Sequence, residues 1–120
     1  MNTIKREITI NNLINEFKSC HETSGALSTF RKSPEGYYIY LLIINSHYTN
    51  DPICVEELIN LVCPKFCSRQ TVKNIISSAI DAKFLFKTID ERDKRRKLFA
   101  PTDETILEFE NWINQTLHTL

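Results

Sequence analysis

A mostly α-helical fold carrying one β-hairpin is what this 120-residue sequence predicts. Three observations carry that expectation. Apolar residues recur at helical spacing over most of the chain. Only two glycines and four prolines occur, too few for a loop-rich all-β fold. One stretch, residues 84–100, departs from helical spacing and reads as two β-prone runs around a charged tip.

The elements follow in order. Ile4, Ile8, Leu13, Ile14 and Phe17 mark an amphipathic helix over roughly residues 4–21. Ser24 to Ser33 reads as a loop with Phe30 as an apolar anchor. Ser33-Pro34-Glu35 is a helix start: serine caps, proline suits the first turn, and glutamate suits the positive helix end. The helix that follows, to about His47, is apolar almost all round, so it is expected at the centre. Tyr48 to Pro52 breaks the chain.

Val55, Leu58, Ile59 and Val62 then define a short helix without a convincing cap, and Cys63 to Cys67 a turn. Ser68 caps a longer helix, 68–82, with Val72, Ile75, Ile76, Ala79 and Ile80 on one face. Its other face carries Arg69, Gln70, Lys73, Asn74 and Ser77. Phe84 to Ile89 and Leu98 to Ala100 are the hairpin strands, and Asp90 to Lys97 is the tip. Thr102 or Asp103 is expected to cap a last helix rich in Ile106, Leu107, Phe109, Trp112, Ile113 and Leu117. One domain is expected over residues 1–120: a terminal helix and loop (1–33), a central unit (34–102) and a second terminal helix (103–120).

The formal net charge of zero conceals an asymmetry. Between Lys65 and Lys97 lie ten basic and four acidic residues, whereas the rest of the chain holds five basic and eleven acidic. One surface is thus expected to meet a polyanion. No signal peptide is visible, and the longest apolar run, Tyr37 to Ile44, falls far short of the ~20 residues of a membrane span. A soluble, cytoplasmic protein is expected.

A short helix, a turn, a capped longer helix and then a hairpin make a winged helix-turn-helix. The major groove of duplex DNA admits one α-helix, so the polar face of the second helix can reach base edges. Arg69 suits a guanine edge; Gln70 and Asn74 suit adenine. Lys73 is likewise of a type suited to base edges, while Ser68, Thr71 and the amides of the helix start suit phosphate.

The tip sharpens this reading. Asp90-Glu91-Arg92-Asp93-Lys94-Arg95 resembles the Asp-x-Arg-Asp-x-Arg wing motif of MarR-type regulators. Ser68-Arg69-Gln70-Thr71-Val72 is similar to the start of their recognition helix, and Pro101-Thr102 to the threonine after their second wing strand. The resemblance covers roughly residues 53–103, and the length is close to the compact SarA-like members. It implies that Arg92 enters the minor groove with Lys94 and Arg95 beside it, that Asp93 and Arg95 brace the wing by ion pairing, and that Asp90 is a second bracing acid. It further implies a homodimer built by the terminal helices, which makes Leu13, Ile14, Phe17, Phe109, Trp112, Ile113 and Leu117 interface residues. Two features depart from the family: the turn Cys63 to Cys67 is longer, and Phe84 stands where a glycine usually precedes the wing.

The function expected is sequence-specific binding of double-stranded DNA by a homodimeric transcriptional regulator, with the wing spanning 84–101. The alternative is a winged helix serving as a protein-interaction module in a larger complex. That module has no need of bases on both the second helix and the wing tip. No glycine-rich phosphate loop, nucleophile elbow or His-Glu-x-x-His occurs, so neither an enzyme nor a cofactor is expected. Cys54, Cys63 and Cys67 lack paired metal spacing, so buried thiols are expected rather than zinc. Cys20, beside His21, is the better candidate for an oxidant sensor, though a packing role is commoner. Tyr37, Tyr38 and Tyr40 are expected in the core with satisfied hydroxyls, the alternative being the wall of an effector cavity.

Overall fold

The computed structural model describes residues 3–22 and 25–117, and only the backbone of His21, Glu22 and Leu117. The order is α1 (Thr3–Glu22), α2 (Ala26–Phe30), α3 (Pro34–Tyr48), β1 (Ile53–Cys54), α4 (Val55–Val62), α5 (Arg69–Asp81), β2 (Leu85–Ile89), β3 (Lys97–Pro101) and α6 (Asp103–Leu117). It is a winged helix-turn-helix, mostly α, with α4 and α5 as the two helices and β2–β3 as the wing. Among the described residues no helix is long and apolar enough to cross a membrane.

Two elements lie outside the sequence expectation. Residues 26–30, expected within a loop, form the short helix α2. Five residues are too few to show a period, and the helix start is completed from far away. Glu108 of α6 accepts the Leu27 N–H at 2.9 Å. Phe30 is buried, as its anchoring role required. The second addition is β1, which makes the sheet three-stranded in the order β1–β3–β2. Ile53 pairs with Phe99 and Cys54 with Leu98, antiparallel. Two residues cannot display strand alternation, so only the pairing partner defines this strand.

α3 begins as its sequence demands: the Ser33 Oγ accepts the Gly36 N–H at 3.0 Å, with Pro34 in the first turn. Gly36 also permits close packing, because a Cβ there would stand 2.4 Å from the Phe30 carbonyl oxygen. Ile39, Tyr40 and Ile43 are fully enclosed among Leu58, Val62, Val72, Ile76 and Phe99. α3 is thus the post against which α2, α4 and β3 pack, while α5 packs on α4 and β2. The Tyr40 hydroxyl departs from expectation, since it is buried with no hydrogen-bond partner among the described residues. Burial pushes its pKa well up.

The end of α5 corrects the expectation for Phe84. The left-handed residue is Lys83, with φ 66°. Lys83 N–H donates to the Ile80 carbonyl (3.0 Å) and Phe84 N–H to the Ala79 carbonyl (2.9 Å), the bonding of a Schellman cap. Phe84 follows the cap and packs on the core. The carbonyls of this corner are claimed by the next helix. Thr102 Oγ1 donates to the Lys83 oxygen at 3.0 Å, and Thr105 Oγ1 to the Phe84 oxygen at 2.8 Å. The Thr102 hydroxyl therefore straps the corner, and its backbone carbonyl accepts from Ile106 N–H to begin α6.

Removing the orphaned hydroxyl, Tyr40→Phe, should raise stability by roughly 1 kcal/mol, because a buried polar group without a partner costs more than it returns. A lower denaturation midpoint in urea would contradict this. Lys83→Gly should relieve the left-handed Cβ penalty and add roughly 0.5–1 kcal/mol, or roughly 2–5 °C in Tm. Calorimetry showing a lower Tm would mean that the lysine side chain contributes more than its backbone costs.

Candidate nucleic-acid interface

α5 divides cleanly. Val72, Ile76 and Ala79 are buried, while Arg69, Gln70, Lys73 and Asn74 are exposed. Ser68 caps it, its Oγ accepting the Thr71 N–H at 3.2 Å and lying 3.0 Å from the Thr71 hydroxyl. The first turn carries no acid, so its positive end is left to face an anion. The exposed side chains are already arranged. Gln70 Nε2 donates to Asn74 Oδ1 at 2.8 Å, one turn along the helix. Arg69 Nη2 donates to both oxygens of Glu56 on α4, at 3.2 and 3.4 Å.

The wing tip is built by its aspartates. Asp90 Oδ1 accepts the Arg92 N–H at 2.9 Å, and Asp93 Oδ1 accepts the Arg95 N–H at 3.1 Å. Each is a carboxylate turning the chain two residues on. Backbone bonds from Asp90 to Arg96 (3.1 Å) and from Arg96 to Asp93 (2.9 Å) close the tip. The result holds Arg92 and Lys94 in solvent. Asp93 also lies 3.6 Å from Arg95 Nε, but that side chain is 95% exposed, so the pair adds little rigidity.

The firmer tie passes through Arg96. Its guanidinium pairs with Glu57 of α4 and stands 3.6 Å from Asp90 Oδ2. Sequence reasoning missed Arg96, Glu57 and Glu56. A signal existed for one of them: with Ile89 opposite Lys97, Asp90 and Arg96 occupy the next rung of the hairpin. Nothing local marks which carboxylates on α4 face these arginines.

A cleft of about 590 Å³ separates α5 from the wing. Lys73 and Ser77 line one side, and Lys87, Arg95, Arg96 and Lys97 the other. The fold thus brings five cations, Lys73, Lys87, Arg95, Arg96 and Lys97, around one groove, with Glu56, Asp81 and Asp93 as the acids on its walls.

The terminal helices divide their apolar residues. Ile10, Leu13, Ile14 and Phe17 of α1 are 54%, 51%, 47% and 56% exposed. Phe109 and Trp112 of α6 instead pack partly against this chain's own core. The Phe109 ring lies 5.7 Å from Tyr48 and 5.9 Å from Trp112. Trp112 Nε1 donates to Glu16 at 2.9 Å, and Glu16 also pairs with Arg31. This largely buried group fastens α1 to α6 and to the α2–α3 corner. Ile113 is half-buried, and the Leu117 side chain lies outside the described residues.

The four cysteines are free thiols. Burial raises the pKa of Cys20 despite nearby Arg31, which disfavours the reactive thiolate of a sensor. Burial also raises the pKa of Cys67, and the nearby Cys63 thiol pushes it the same way. Among the described residues no cluster of three His, Cys, Asp or Glu side chains is placed to hold a metal. Tyr37, Tyr38 and Tyr40 line neither of the two larger cavities; the other, about 530 Å³, lies among α1, α2 and α6.

No protein-family model matches the sequence, and no curated protein matches it significantly. Solved structures do match the fold. The S. aureus MepR–DNA complex superposes with a TM-score of 0.61 at 17% identity, over 88% of this chain and 80% of that one. The transcriptional regulator Tm0710 from Thermotoga maritima gives 0.60 at 21%, over 96% and 71%. A MarR-like transcriptional regulator, tm0816, from the same organism gives 0.58 at 17%, over 96% and 75%. With its capped α5, its aspartate-built wing and a small sheet joining them, this chain has the winged-helix fold of MarR-like transcriptional regulators.

Proposed function

We propose that this protein binds double-stranded DNA sequence-specifically, as a homodimeric transcriptional regulator. The observation that carries the reading is the groove between α5 and the wing, where cations from two separate elements converge on one face. A surface built only for solubility would disperse them. The S. aureus structure of the same fold holds DNA, which supports this use of the face. In the docking proposed here α5 lies in the major groove. Gln70 and Asn74 read base edges together with Arg69, and Ser68, Thr71 and Lys73 hold phosphate. Arg92 enters the minor groove, with Lys94 and Arg95 on the flanking backbone.

The dimer rests on α1. Its apolar positions Ile10, Leu13, Ile14 and Phe17 follow the i, i+3, i+4, i+7 rule yet stay about half exposed. The molecule is elongated, 53 × 27 × 27 Å, with a radius of gyration of 16.0 Å. A compact chain of this length has a radius of about 14 Å. A projecting helix with an apolar stripe is a surface for a second copy. α6 contributes Leu107, 59% exposed, and the half-buried Ile113.

Selection of bound duplexes from a random pool tests class and symmetry together, with a palindromic consensus expected. Enrichment of no sequence at low salt would favour the protein-interaction module instead. On a selected duplex, Arg92→Ala should leave the thermal melt nearly unchanged and weaken binding to all duplexes, most on A·T-rich flanks. The slope of log affinity against log salt should fall by about one. Gln70→Ala or Asn74→Ala should cost about 1–3 kcal/mol on the preferred site and relax its base preference. An unchanged salt titration for Arg92→Ala would remove the wing from the interface.

Light scattering at micromolar concentration should give twice the chain mass. Leu13→Asp, placed on the exposed stripe, should give a folded monomer with weakened operator binding. A wild-type monomer would exclude the dimer.

A further inference from the structure

α4 begins with two adjacent carboxylates, Glu56 and Glu57, in its first turn. Each has a different cationic partner, and Glu57 Oε1 also accepts from the Cys54 thiol at 3.2 Å. Glu56 accepts from Arg69 at the start of α5, and Glu57 pairs with Arg96 at the foot of the wing. Two neighbouring residues of one helix thereby reach both elements proposed to touch DNA; the Glu56–Arg69 pair is exposed, so it orients a side chain rather than stabilises the fold.

Net attraction to a polyanion does not explain them. A carboxylate beside the groove repels phosphate, so on electrostatic grounds alone both reduce affinity. Helix stability explains them incompletely. Acids in a first turn do favour the helix dipole, but free carboxylates would serve equally well. What the observed pairing adds is geometry. Both oxygens of Glu56 engage one nitrogen of Arg69, Nη2, which leaves the rest of the guanidinium fork for a guanine edge. Arg96 divides its fork between Glu57 and Asp90, and Asp90 is the residue whose carboxylate turns the tip toward Arg92. The angle between wing and helix-turn-helix thus passes through Glu57.

We propose that Glu56 and Glu57 are positioning residues for specificity: Glu56 aims Arg69 at the bases, and Glu57 sets the wing through Arg96. The inference rests on the DNA-binding reading above. It makes the two carboxylates trade affinity for discrimination, each in its own part of the site. Glu56 governs base pairs under α5, and Glu57 governs the flanks under the wing.

The test is duplex selection followed by titration for the wild type, Glu56→Gln, Glu57→Gln and Arg96→Lys, with a thermal melt of each. Glu56→Gln should bind arbitrary duplexes about two- to fivefold more tightly while losing about fivefold discrimination at the pair read by Arg69. Its flank preference should stay as in the wild type. Glu57→Gln should do the reverse, keeping the central consensus and losing the A·T preference of the flanks. Arg96→Lys keeps its charge but cannot bridge two carboxylates, so it should match Glu57→Gln in flank preference and the wild type in salt slope. Tighter binding to all duplexes with an unaltered consensus would overturn the inference, as would a melt lowered without any change in selectivity. If the wild type itself enriches no sequence, the DNA-binding reading fails first and this inference with it. A wild-type consensus with unaltered variants sinks the inference alone.

Discussion

Phe99 is buried at the middle of β3, and among the described residues β3 is the only strand with a neighbour on each side. On one edge it pairs with Ile53 and Cys54, the residues that lead into α4. On the other it pairs with the whole of β2, which leads out of α5. The helix-turn-helix is therefore held at both its entrance and its exit by one strand. Because antiparallel pairing fixes register as well as distance, the wing cannot slide along α5 without exposing Phe99. That pairing fixes the base of the groove between them, and the Arg96 contacts act further out, toward the tip.

Around this strand, the bonds that hold each part become more local with distance from the core. α3 supplies the enclosed face, the Lys83 corner is bonded to two threonines, and the wing tip relies on its own aspartates. Exposure rises in the same order, ending at Arg95, which is almost wholly in solvent. Such a gradient suits a surface that meets a polymer. The frame holds spacing, while the last side chains remain free to settle on phosphates and base edges. Arg96 marks the boundary, reaching back to Glu57 where Arg95 reaches outward.

α1 follows a different logic. Its inner face is fixed by Glu16, which joins Arg31 and Trp112, a largely buried polar group rather than an apolar contact. Its apolar residues are turned aside from that face and stay half exposed. Polar anchoring within a chain, combined with an apolar stripe left in solvent, orients a helix for a further partner without committing its greasy side inward. The cavity of about 530 Å³ between α1 and α6 fits the same picture of an end that the single chain does not fill.

The sequence by itself determined the helices with periodic faces, the Ser33 and Ser68 caps, the hairpin and its charged tip. These are local patterns, because a period or a cap is complete within a few neighbouring residues. It also determined the separation of charge that concentrates cations in residues 65–97. Tertiary structure alone decided α2 and β1, which are too short for a period and depend on Glu108 and on β3 for their bonds. It placed the left-handed corner on Lys83 rather than Phe84, because the helix end is set by which carbonyls the following amides reach. It also chose Arg96 over Arg95 as the inward arginine and brought Glu56 and Glu57 to the groove. Those pairings join residues far apart in the chain, and no local pattern carries the identity of a partner that only folding supplies.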